Sequence, residues 1–194
     1  MSAPLDVLFR QRILGCSGFY TGTMDGQWGP QTDAADKAFQ AEYLHQQTIG
    51  GVFDLRTEGV IMSLLIQAQP KAREFMKAAG PTCQLTSGTR SYAEQDALFA
   101  QHPKVTNARG GQSNHNFGIA WDAGLFIDGH YLTGDTKVEE DSYLAMVQTI
   151  KARVTGLEYG ADWKTILDVD HYQIATGKTL SQVRAAFEGG KQFI

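Results

Sequence analysis

The chain has 194 residues, 42% hydrophobic and 20% charged, a composition that supports a packed core and excludes a disordered or collagen-like protein. A formal net charge of −4 speaks against a nucleic-acid partner, because phosphate binding needs a basic surface. The longest apolar run, "VIMSLLI", is far too short to span a bilayer, so no membrane partner is expected.

At the N-terminus, "MSAPLDVLFRQRIL" scatters Asp6, Arg10 and Arg12 among apolar positions. No secretory signal is visible in it, and synthesis in the cytoplasm is the expectation. The two cysteines, Cys16 and Cys83, then read as reduced thiols. Cys83 lies in a strand-like apolar context without a basic neighbour, which favours a buried structural thiol over a nucleophile.

Residues 1–70 show helical periodicity. Leu5, Leu8, Phe9, Ile13 and Leu14 make one apolar stripe, Ala35, Phe39, Tyr43 and Leu44 a second, and Val60, Ile61, Leu64 and Leu65 a third. Between the stripes lie two similar turns, "DGQWGPQT" at 25–32 and "GGVFDLRT" at 50–57. Gly26 falls over Gly51, Trp28 over Phe53 and Thr32 over Thr57, a period of 25. The pattern predicts a glycine turn, an aromatic plug into the core and a threonine capping the next helix.

The stretch "VLFRQRILGCSGFYTGTMDGQWGPQTDAADKAFQ" resembles the N-terminal half of the small three-helix peptidoglycan-binding domain of wall hydrolases. Gly22, Asp25-Gly26, Gly29, Thr32 and the closing Ala35-x-x-x-Phe39-Gln40 carry the resemblance. It implies a peptidoglycan-binding domain over residues 1–68, although Gly50 stands where the family usually has Asp in the second turn.

"QPKAREFMKAAGPT" predicts a short helix stopped by Gly80-Pro81, read as a linker over residues 69–82. Beyond it, "CQLTSG", "FGIAWDAGLFI" and "DHYQIA" have strand character. "SYAEQDALFAQ" opens with a capping box, Ser91 with Glu94, and "EDSYLAMVQTIKARVTG" predicts a helix ended by Gly156. Strands and helices do not alternate regularly, which gives an α+β class rather than a doubly wound sheet.

Of the five histidines, His45, His102 and His130 have no acidic or histidine partner at a telling spacing. His115 differs. In a strand over 118–126, Gly118, Ala120, Asp122 and Gly124 share a face of small residues around one carboxylate. His115 can fold over that face through a flexible Asn116-Phe117-Gly118 turn. Downstream, Asp168 precedes His171 by three positions, so a turn between them is needed if they share a site. By spacing alone these pairs are compatible with structural polar residues. They are equally compatible with three ligands (His115, Asp122, His171) around a zinc ion, with Asp168 as general base.

Four motifs, "SGTRSYAEQDALFA", "TNARGGQSNHNFGIAWDAG", "GLEYGADW" and "DVDHYQ", resemble in order those of the zinc L-alanyl-D-glutamate and D-alanyl-D-alanine peptidases, which include VanY-like carboxypeptidases and phage endolysins. The resemblance implies a catalytic domain over residues 83–194, with a small antiparallel sheet of the D-Ala-D-Ala peptidase/hedgehog-like kind. It implies Zn2+ on His115, Asp122 and His171, Asp168 as acid/base, and Arg90 facing the substrate carbonyl. Ser113, Tyr92, Gln95 and Trp163 fall toward the substrate in the same motifs. Asp170 stands where the family often has Pro, and is expected to point away from the metal, since it adjoins a ligand along an extended chain. The implied function is hydrolysis of a stem-peptide amide in bacterial peptidoglycan by a monomer acting on the wall, foremost between L-Ala and D-Glu in the manner of an endolysin. D-alanyl-D-alanine carboxypeptidase activity, a delivered antibacterial toxin and a zinc-containing wall-binding protein without turnover are the alternatives.

Overall fold

The computed structural model describes residues 6–194; Leu5, placed above in the first apolar stripe, lies outside them. Seven helices and five strands follow in the order α1 (Val7–Cys16), α2 (Pro30–Gly50), α3 (Leu55–Ser63), α4 (Gln69–Ala79), β1 (Cys83–Ser87), α5 (Tyr92–Phe99), β2 (Ala120–Ile127), β3 (His130–Tyr131), α6 (Lys137–Lys151), β4 (Leu157–Tyr159), β5 (His171–Ile174) and α7 (Leu180–Glu188). The class is α+β, as expected. The sheet runs β1-β2-β5-β4, with β3 paired to β2, and each of these pairings is antiparallel. Among the described residues no helix is long and apolar enough to cross a membrane.

The repeat in the first 60 residues is real, but its threonines are not caps. Gly29 and Asp54 occupy the N-cap positions of α2 and α3, so Thr32 and Thr57 both fall three residues inside and are buried. Each hydroxyl serves as a tertiary acceptor instead. Thr32 Oγ1 takes a bond from Gln11 Nε2 at 3.3 Å, and Thr57 Oγ1 takes one from the Leu85 N–H of β1 at 3.1 Å. The aromatic pair also divides: Phe53 packs against the core, whereas Trp28 is 43% exposed and plugs nothing. Leu44 is exposed too, and the buried face of α2 runs through Ala35, Phe39, Tyr43 and Gln46.

The predicted helix at 69–82 forms as α4 over 69–79, with Gly80 at φ +86° closing it. Its amphipathic face is buried on both sides. Phe75 stacks edge-on against Trp121 and Tyr172 of the sheet, at 5.7 and 4.5 Å between ring centroids. Arg73 reaches back to the N-terminal helices, where its guanidinium makes a bidentate pair with Glu58 at 2.8 and 2.9 Å and a bond to the Gly51 carbonyl. A continuous apolar core therefore runs from Ile13 and Phe39 through Phe75 to Trp121 and Tyr172. The capping box of α5 is present as read, Ser91 with Glu94. Helix α6 ends at Lys151 with Ala152 as its cap, well before Gly156, which instead supplies the φ +78° turn into β4.

Burial alone would raise the Glu58 carboxyl, but bonds from Arg73, Tyr43 and the Phe53 N–H hold it down at about 2 against an ordinary 4.5. A carboxyl depressed by folding stabilises above the unfolded value and loses that contribution as pH falls through the folded one. The Glu58→Gln protein should lose about 3 kcal/mol at pH 7, where Arg73 keeps a buried charge without its partner. Its stability should then vary less than the parent's between about pH 5 and 2, by on the order of 1–2 kcal/mol after allowance for solvent screening. Urea titrations at neutral and acid pH check both expectations.

Candidate metal centre

His115 stands on a 3-10 turn, Asn114–Phe117, capped by the Ser113 hydroxyl. The turn is not the flexible hinge expected from its sequence. Asn116 is fully buried, its amide donating to the Arg90 carbonyl at 2.9 Å while its oxygen accepts the Gly111 N–H at 2.9 Å. The Arg90 N–H donates to the His115 carbonyl at 3.0 Å. Gly118, at φ +70°, then turns the chain into β2, and a Cβ there would lie 3.0 Å from the Leu65 backbone nitrogen. Antiparallel pairing sets Asp122 of β2 directly opposite His171 of β5.

These elements bring three side chains to one point. His115 Nε2 lies 3.1 Å from Asp122 Oδ1 and 3.1 Å from His171 Nδ1, and His171 Nδ1 lies 3.2 Å from Asp122 Oδ1. The protons of both rings are accounted for elsewhere. His115 Nδ1 faces the Gly88 carbonyl at 2.7 Å, and His171 Nε2 faces the Gln173 side-chain oxygen at 3.1 Å. Both acceptors need an N–H, so each neutral ring turns a lone pair inward toward the carboxylate oxygen. Three converging lone pairs with no proton between them repel unless a cation stands among them. A tetrahedron with ligands at ~2.0 Å from its centre has edges of about 3.3 Å, close to the observed triangle. The donor set therefore fits a metal ion, held by His115, Asp122 and His171.

The electrostatics agree with such a cluster. Burial pulls the His115 ring below the ordinary imidazole value, and the Asp122 charge only partly offsets this. Burial also opposes the Asp122 charge and the His171 proton. The carboxylate nonetheless ends well below the usual range through the two histidines, and His171 ends raised through Asp122. The Arg90 guanidinium lies 3.9 Å from Asp122 Oδ2.

A cleft of about 510 Å³ opens on the cluster, lined by Arg90, Ser113, Trp163, Asp168 and Asp170 together with the three ligand candidates. The turn expected before His171 is present, and it directs Asp168 into the cleft. Asp170 lines this cleft and also a second one, with Thr133, Gly134 and Tyr143. Burial, followed by its hydrogen bond to Asp168 and the neighbouring carboxylates, pushes it up to about 8. The two carboxyl groups of Asp168 and Asp170 thus lie side by side at the cleft. The Trp163 ring lies beside His171, tilted by 42° with 4.9 Å between ring centroids. Two of the residues read toward the substrate are absent from the lining. Gln95 is buried, with its amide on Thr106 Oγ1 and the Ala108 carbonyl, and the Tyr92 hydroxyl donates to Glu188. Gln95 thereby braces Thr106 and Ala108, two residues of the cleft wall. Sequence reasoning missed Gly88, whose carbonyl leaves no side-chain signal, and Gln173, which shares a face with His171 by the two-residue strand period.

Residues 106–174 match the model of a family described as D-alanyl-D-alanine carboxypeptidase. Over this segment the chain is similar to that family. The peptidoglycan L-alanyl-D-glutamate endopeptidase CwlK of Bacillus subtilis (strain 168) is 34% identical over 100 residues, covering 46% of this chain and 59% of the relative. The chain thus spans about three-fifths of that protein's length. Among solved structures, the L-Ala D-Glu endopeptidase ChiX of Serratia marcescens aligns with 66% of this chain and 94% of its own, at 21% identity and a TM-score of 0.49. The matched segment contains His115, Asp122 and His171, along with Asp168 and Trp163; Arg90 lies upstream of it.

A protonated His171 cannot give its lone pair to a cation. Because its folded value is raised, zinc affinity should fall about tenfold per pH unit once pH drops below it. His115→Ala should lower affinity by more than about a hundredfold at neutral pH, beyond what a supporting residue costs. Competition with a chromogenic chelator across about pH 5.5–8 measures both.

Proposed function

We propose that the chain is a zinc-dependent peptidoglycan peptidase that hydrolyses an amide of the stem peptide, foremost the bond between L-Ala and D-Glu. The supporting observation is the inward-facing triad of His115, Asp122 and His171 at the floor of a cleft that also holds Arg90 and Asp168. Two histidines and one carboxylate suit zinc, which takes mixed nitrogen and oxygen ligands and leaves a fourth position open. The named activity of CwlK supports peptidoglycan as substrate and the L-Ala–D-Glu bond as target.

Zinc, when bound, supplies a Lewis acid and makes a coordinated water acidic near neutral pH. The chain's own residues do the rest. Asp168 is placed to take the proton from the attacking water and pass it to the leaving amine. Asp170 neighbours Asp168 on the same side of the cleft. Arg90 presents a fixed cation where charge develops on the carbonyl oxygen. The Trp163 ring forms an apolar wall beside His171.

The N-terminal part, residues 1–68, serves in this reading as a peptidoglycan-binding domain, joined by the linker helix at 69–82 to the catalytic domain at 83–194. The support is the motif resemblance in the first turn and the exposure of Trp28 beside it. A weak wall-binding module raises the local concentration of substrate for the peptidase. The site of action is the cell wall, and the working unit a monomer.

Asp168→Asn should keep about one zinc per chain and still sediment with purified walls, while kcat falls by about 10²–10⁴. Asp170→Asn, which leaves the assigned base in place, should fall by no more than about tenfold. Lysis by the Asp168→Asn protein at the parent rate would remove Asp168 from the mechanism. Mass spectrometry of digested muropeptides identifies the bond: a new N-terminal D-Glu marks the endopeptidase, and loss of terminal D-Ala alone marks a carboxypeptidase.

A further inference from the structure

A hydrogen-bond chain leads away from the metal cluster to a solvent-exposed carboxylate on the neighbouring strand. Glu158 of β4 pairs directly with Gln173 of β5, and Gln173 Nε2 donates to Glu158 Oε2 at 2.6 Å. A carboxylate only accepts, so this bond decides which end of the Gln173 amide faces it. The amide oxygen is thereby turned the other way. There it accepts from Asn114 Nδ2 at 2.8 Å and lies 3.1 Å from His171 Nε2. The His171 proton is held on Nε2, and Nδ1 is left as a lone pair facing His115 and Asp122.

The reverse arrangement shows what Glu158 contributes. If the Gln173 amide were turned over, its NH₂ would face His171 Nε2 and convert that nitrogen into an acceptor. The ring proton would move to Nδ1, among the three converging ligand atoms, and block the cation. Asn114 cannot prevent this, because its own amide can turn over as well. Of Glu158, Gln173, Asn114 and His171, Glu158 is the member that cannot be reversed.

We infer that Glu158 is a positioning residue: through Gln173 it sets His171 in the tautomer that binds metal, a role that rests on the metal-site reading above. It lies outside the cleft lining and touches none of the three ligands. Its influence passes entirely through one side-chain amide, as outer hydrogen-bond partners commonly act on metal-binding histidines.

The test uses the full chain and zinc(II) as probe. Glu158→Gln puts at that position an amide that can either donate or accept, so zinc affinity should fall about tenfold or more. Adding Gln173→Glu to Glu158→Gln should restore it, since a carboxylate at 173 accepts from His171, Asn114 and the new amide alike. Spectra of ¹⁵N-histidine in metal-free protein at about pH 9.5, above the ordinary imidazole range, should show Nε2 protonated in the parent. A shift toward Nδ1 protonation is expected in Glu158→Gln. Parent-like zinc affinity in Glu158→Gln overturns the role of Glu158 and leaves the metal site standing. A loss that the double variant does not rescue marks damage to the β4–β5 pairing and overturns it as well. Failure of the parent chain to bind zinc overturns the metal site and this role together.

Discussion

The antiparallel pairing of β2 with β5 is the constraint on which the rest of the molecule depends. It places Asp122 opposite His171 and Trp121 opposite Tyr172 in consecutive rows. Because side chains alternate across a strand, the first pair faces the cleft and the second faces the core. One register thus builds a metal-ligand pair on one side and an aromatic pair on the other. A slip of one residue would exchange them, driving two polar ligands into the apolar core and exposing two large rings. The cost of that exchange, several kcal/mol of buried aromatic surface alone, fixes the site geometry more firmly than any bond within the site.

The aromatic pair is held in turn by Phe75, and so by α4. This helix lies between the N-terminal helices and the sheet and is fastened to both: to the sheet by Phe75, and to α3 by the Arg73–Glu58 pair. Thr57 adds a direct bolt from α3 to β1. At the far end, Phe9 of α1 packs against Phe187 of α7, and the Leu65 N–H donates to the Gly118 carbonyl just before β2 begins. The N-terminal helices consequently form one wall of the packing that positions His115.

Much of this was legible in the sequence where a local pattern carries a local consequence. The apolar stripes, the glycine stop after α4, the Ser91–Glu94 box and the small-residue face around Asp122 all work within one turn or one strand. The motif order also named His115, Asp122 and His171 together. What escaped depends on distant partners. Thr32 and Thr57 look like caps, but the caps are Gly29 and Asp54, three residues earlier, and the hydroxyls answer to Gln11 and β1. Gln95 and Tyr92 stand in a motif beside Arg90, yet their polar atoms are bonded away from the cleft opening, Gln95 to the Ala108 carbonyl and Tyr92 to Glu188. Helix α7 had a readable signal, Thr179 with Gln182 as a second capping box. The Glu158–Gln173 link could not be read, since it exists only once β4 lies beside β5.

The cluster is closed on one side and open on the other, and this polarity decides which residues can take part in chemistry. The His115 side chain is 1% exposed, whereas Asp122 and Arg90 keep about a fifth of theirs. The buried side is where the ligands are held: the Gly88 carbonyl fixes one ring, and Asn116 locks the turn beneath it. On the open side stand Arg90, Asp168 and Trp163, so anything that reaches the three lone pairs must pass a cation, a carboxylate and an aromatic face. Under the proposed function, an amide carbonyl arriving by that route would meet Arg90 with its oxygen and Asp168 with the proton to be moved. The same residues in another order around the opening would hold a metal equally well but would not suit the amide substrate proposed.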